Sequence, residues 1–152
     1  MTLIQLLETR SESLISEATE ALSRAHLKHY EQAGLVESQK WLETLYNLTL
    51  QSIKTRDLSD LLSHVEKISV ERFSSGFDLH EVQMAFNVVE EVIWGHILKD
   101  LDPSDYAEAL GLVSTALGEG KDTLAMTYVS LASKRKVPTL DLSGLFTGTG
   151  RE

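Results

Sequence analysis

The sequence predicts an all-α fold of several packed helices ending in one long helix, and three observations predict it. Helix breakers are scarce, with two prolines and nine glycines among 152 residues. Apolar residues recur at three- and four-residue steps, the period that lines one face of a helix. Polar motifs that open and close helices fall between those stripes. A chain of this length suits a single domain and buries roughly 68–70% of its unfolded surface, enough to fold without a metal or disulfide staple. We expect that domain over residues 1–136 and a flexible tail or linker over 137–152.

The first helix is expected over residues 2–32, with Leu3, Leu7, Leu14, Ala18, Leu22 and Ala25 at helical spacing. Thr2 and Gln5 have the spacing of a capping box, in which each side chain satisfies the other residue's orphan amide. Gly34 marks a break. A second helix over 38–56 turns Trp41, Leu42, Leu45, Leu48, Thr49 and Ile53 to a core. The third, over 58–75, follows Asp57 as N-cap and aligns Leu58, Leu61, Leu62, Val65, Ile68 and Phe73.

The corner between the third and fourth helices is the most explicit local encoding in the chain. Gly76 suits the left-handed residue that follows a helix. Asp78 and Glu81 then form an N-cap and N3 pair, and Phe77 and Val82 hold the positions of a hydrophobic staple. The fourth helix, over 79–99, carries Leu79, Val82, Phe86, Val89, Ile93 and Ile97 in a stripe widened by Ala85, Val88 and Val92, which predicts a central position. Asp102 and Pro103 start the fifth, since proline at N1 loses no hydrogen bond. Running to Lys136 it would be roughly 50 Å long at 1.5 Å per residue. Tyr106, Leu110, Val113, Leu117, Leu124, Tyr128 and Leu131 follow a near-heptad seam along it, the pattern of a self-associating helix. Gly118 and Gly120 interrupt its middle, predicting a kink or a close helix contact.

Composition excludes several classes of function. The chain has no cysteine, so no thiolate nucleophile or ligand is available. Fourteen basic against twenty-three acidic residues give a charge of −9, which disfavours nucleic acid and anionic lipid. No basic leader precedes an apolar run at the N-terminus, and the stretch 88–98 is too short and polar to span a bilayer. A cytoplasmic protein is expected.

Histidines are the remaining candidate ligands. His26 and His29 lie three apart beside Glu31, but no second ligand pair at matching spacing appears, so both are read as surface residues without metal. His64 and His96 each border apolar residues. In an all-helical chain of globin length either suits haem ligation, which makes a haem-binding gas sensor the alternative reading. A histidine on a half-apolar face is more often a hydrogen-bonded core residue, and no cofactor is expected. Glu90 and Glu91 are neighbours splayed about 100° apart on a helix and form no acid–base pair. Residues 118–121 (Gly-Glu-Gly-Lys) lack both the spacing and the preceding strand of a phosphate loop. Trp41 and Trp94 are read as core or interface anchors. Thr139, Thr147 and Thr149 are candidate phosphate acceptors in the tail, read as ordinary linker hydroxyls. No catalytic constellation assembles, and no enzyme is expected.

The run Arg72…Gly76-Phe77-Asp78-Leu79-His80-Glu81-Val82 resembles the N-terminal sensor domain of RsbR-type stressosome proteins, the RsbT co-antagonist family. Trp41-Leu42 on a polar helix and the number of helices after it also resemble that family. The resemblance implies a globin-like helical bundle that holds no haem and pairs as a homodimer. It further implies an input role in a bacterial stress-response complex whose STAS domains bind a switch kinase controlling a sigma-factor pathway. The fifth helix would connect the domain to its output. The present chain ends sixteen residues after Lys136, so the STAS output is expected outside it, whether this is an excised domain or a stand-alone relative. A helical dimerisation module of a sensor kinase is a second alternative.

Overall fold

The structure, a computed structural model, describes residues 1–136, the last two without their side chains. The tail, including Thr139, Thr147 and Thr149, lies outside the described residues. Every regular element among those described is helical: α1 Leu3–Thr9, α2 Ser11–Arg24, α3 Lys28–Ala33, α4 Leu35–Thr55, α5 Ser59–Ser74, α6 Leu79–Asp100 and α7 Tyr106–Lys136. A short 3-10 turn, Pro103–Asp105, leads into α7.

The single first helix expected over residues 2–32 is instead three. The Thr2–Gln5 capping box opens α1, with both reciprocal hydrogen bonds formed. No apolar residue stands between Leu7 and Leu14, and the chain bends there at Arg10, whose φ and ψ of −114° and 17° are not helical. α2 then ends at a non-glycine left-handed residue, His26, with φ 51°. Each break re-aims the next apolar stripe, so that Leu6, Leu7, Leu14, Leu22 and Tyr30 all become buried in one core.

Downstream the local signals act where they were expected, within a few residues. Gly34 adopts φ 91° between α3 and α4, so α4 begins three residues earlier than predicted. Asp57 accepts from the amide and hydroxyl of Ser59 in a turn just before α5, so it serves the helix start from one position upstream of the Leu58 cap. Asp102 accepts from Ser104 and caps the Pro103 turn. At the α5–α6 corner, Phe77 N–H donates to Arg72 O and Gly76 N–H to Phe73 O, at 3.0 and 3.1 Å. These two bonds satisfy the last carbonyls of α5, and they require the left-handed φ of 89° that Gly76 supplies.

Helix α6 is central, packed on α2 and α7, while α7 also packs along α5 and α4. It runs unbroken through Gly118 and Gly120. Gly120 marks a close helix contact, since a Cβ placed there would lie 2.8 Å from the ring of fully buried Phe86. Gly118 faces no neighbour within 4 Å. No described helix is long and apolar enough to cross a membrane.

Candidate functional site

The corner gathers side chains from four helices into one cluster. Arg72, near the end of α5, lies among three aromatic rings, with its guanidinium carbon 4.8 Å from the Phe77 centroid, 5.7 Å from Trp41 and 5.8 Å from Tyr30. The rings also pack on one another. Tyr30 meets Phe77 edge-on at 5.0 Å, and Trp41 sits between stacked His64 and edge-on Phe86, each at 6.1 Å. Tyr30, Trp41 and Phe77 are buried, whereas Arg72 is half-buried. Cation–ring contacts of this kind are worth about 0.5–2 kcal/mol, and they orient a guanidinium without neutralising it.

Beneath this cage lies a buried carboxylate. Glu81 is 5% exposed and accepts three hydrogen bonds: from the Asp78 amide, the His29 amide and His29 Nδ1, at 2.9, 2.9 and 2.7 Å. Burial pushes its pKa up, but the two backbone donors and the imidazole outweigh that and hold it below its ordinary value. The capping box expected from Asp78 and Glu81 is therefore formed. It also ties α3 to α6. Phe77 and Val82, the staple pair, are both buried in the common core.

The corner is joined to the last helix. Tyr128 Oη on α7 donates to Phe77 O at 2.9 Å, and the Tyr128 ring packs edge-on against Phe73 at 5.3 Å. Burial, with a smaller effect of nearby Tyr30, pushes the Tyr128 phenol up to about 12, so it remains a donor at neutral pH.

The seam residues of α7 turn inward. Val113, Leu117, Leu124 and Tyr128 are buried, while Tyr106, Leu110 and Leu131 are half-buried, with Tyr106 and Leu110 packed against the same core. That stripe closes this chain's own core against α5 and α6. Met126 and Val129 are large apolar residues of α7 left exposed on its outer face. With Val70 of α5, Met126 borders a shallow groove of about 360 Å3 between the two helices.

The histidines are placed differently from one another. His26 is exposed and pairs with Glu31 at 2.8 Å, whereas His29, expected at the surface, is drawn down onto Glu81. His64 lies flat on Trp41, where burial first and the charge of Lys67 second lower its pKa. His96 has both ring nitrogens engaged: Arg10 Nη1 at 3.2 Å from Nδ1 and Glu17 at 3.0 Å from Nε2. An arginine can only donate and a carboxylate only accept, so Nδ1 faces a donor and Nε2 an acceptor. Haem ligation by His96 would break that bridge. No group of three or more histidines and carboxylates able to hold a metal occurs among the described residues. Lys121 is paired with Asn87 and Glu90 inside α7 and α6, so residues 118–121 form no phosphate loop. Trp41 is a core anchor, but Trp94 is 38% exposed and anchors nothing in this chain's core.

The sequence gives Tyr30 no site role, Trp41 only that of an anchor, and no sign that His29 bonds Glu81. Their partners lie tens of residues away, where local spacing gives no signal. No family model, curated protein or solved structure matches this chain.

Proposed function

We propose that the chain is a non-catalytic sensory or input module of the RsbR type, globin-like in arrangement and cytoplasmic, whose α7 carries a conformational change toward an output domain. The observation that carries this reading is the hydrogen bond from Tyr128 to Phe77 O. It joins the corner that bears the family-like residues to the helix that leaves the domain. A change in the Arg72 cage repositions the Phe77 backbone, and α7 then changes its packing at Tyr128. The resemblance adds a homodimer, STAS-domain partners and a switch kinase. The haem reading relied on His64 and His96. Those rings are engaged by Trp41, and by Arg10 and Glu17, so the non-haem reading is favoured.

Fusing the chain to a STAS domain and measuring particle size by analytical ultracentrifugation tests the reading. The expected result is particles far larger than a dimer of the fusion, able to retain a switch kinase. A fusion that remains a simple dimer, with no kinase retained, would mean a generic dimerisation module instead.

A further inference from the structure

Helix α6 carries a glycine that a single copy of the chain does not explain. Gly95 lies inside α6, where glycine is disfavoured relative to alanine. Gly76 supplies a left-handed turn and Gly120 a close contact, but Gly95 is helical and exposed, and a Cβ placed there would meet nothing within 4 Å. The surface around it is apolar and open: Trp94 is 38% exposed and Leu98 53%. Four residues to either side of Gly95, on the same helix face, stand Glu91 and Lys99, both exposed. Neither forms an ion pair among the described residues, and Asp100 beside Lys99 is taken by Arg10.

We infer that this face of α6 packs antiparallel on the same face of a second copy, with the two-fold axis at Gly95. The row Glu91, Gly95, Lys99 is complementary to itself when reversed. Glycine meets glycine, and each glutamate meets the lysine of the other copy. Rows of residues four apart are the ridges by which helices most often interlock, with axes about 8–10 Å apart, and a crossing point without side chains permits the near end of that range. Glu91 and Lys99 lie about 6 Å along the axis from Gly95, so the two ion pairs form together, one on each side of the crossing. The two-fold keeps Trp94 and Leu98 of both copies on one flank, where each tryptophan covers the other copy's leucine and the four side chains leave water together. A parallel pairing would set like charges against each other, so the charges fix the direction. That self-matching selects a second copy over an unrelated partner. The inference rests on the homodimer of the input-module reading and gives it an interface.

Sedimentation equilibrium of the full chain tests the pairing. We expect the native chain to have the mass of two chains. Gly95→Gln adds a helix-favouring side chain to open space, so it should keep the native circular dichroism and cooperative melting yet sediment as one chain. Glu91→Lys turns two exposed ion pairs into two repulsions and should weaken the dimer about tenfold, as should Lys99→Glu. The chain carrying both exchanges should recover the native dissociation constant, and Met126→Glu on α7 should leave it unchanged. A native chain that sediments singly at every concentration overturns the pairing, and so does a dimer undiminished in Gly95→Gln. A double exchange as weak as the single ones overturns it equally. The STAS fusion decides the input role separately. Large particles from a domain that is monomeric alone would remove this interface and keep the role. A dimer broken by Gly95→Gln, in a fusion that never assembles, would keep the interface and remove the role.

Discussion

Glu81 is the residue whose charge matters most to the corner, because its two oxygens receive three donors from α3 and the α6 cap. Its folded pKa lies below the ordinary 4.5. The carboxylate therefore contributes stability that is complete above pH 4.5 and is lost as pH falls through the lower folded value. Glu81→Gln should cost about 1–3 kcal/mol at neutral pH, since an amide N–H would then face an N–H donor. Thermal melts between pH 7 and pH 3 check this: the variant should start lower and lack that part of the acid slope. His64 acts in the same direction in a higher window. Its depressed pKa means stability present above 6.5 and lost as pH falls below it. The role of Glu81 was half legible in the sequence, because a capping box is a local pattern. Its grip on His29 spans 52 positions and was not.

At the scale of elements, α7 is set by two glycines of opposite consequence. Gly118→Ala adds a methyl group to open space and should stabilise the helix by about 0.5–1 kcal/mol. Gly120→Ala gains the same propensity but drives that methyl into the Phe86 ring, which is fully buried and has nowhere to move. Overpacking costs about 1–3 kcal/mol, so the net change is destabilising. Denaturant midpoints of the two variants should fall on either side of the native one. The sequence announced a glycine-rich point in this helix but could not say which glycine meets a neighbour, because Phe86 comes from another helix. The same limit explains the first thirty residues. Gly34, Gly76 and Pro103 are breaks written into residue type. The turn at His26 puts a non-glycine residue at positive φ, its exposed ring on Glu31, a conformation that residue type does not announce.

At the scale of the whole molecule, the inward turn of the α7 seam changes how self-association is to be tested. Leu124→Glu places a charge among fully buried neighbours and should unfold the chain, at a cost above about 4 kcal/mol. It reports on the core. Val129 is 62% exposed and Met126 72%, so glutamate at either should leave the melting temperature unchanged. If the proposed homodimer uses the outer face of α7, light scattering of Met126→Glu should give the mass of one chain. A dimer surviving both changes would place the two-fold axis elsewhere. The close passage of Gly120 against Phe86 has a mechanical consequence for that helix. At Gly120 α7 meets the Phe86 ring of α6 without a side chain of its own, and it also packs along α4 and α5. A turn of the helix about its axis would bring a neighbouring side chain against that fully buried ring, so the contact fixes the rotational setting of α7 eight residues before Tyr128.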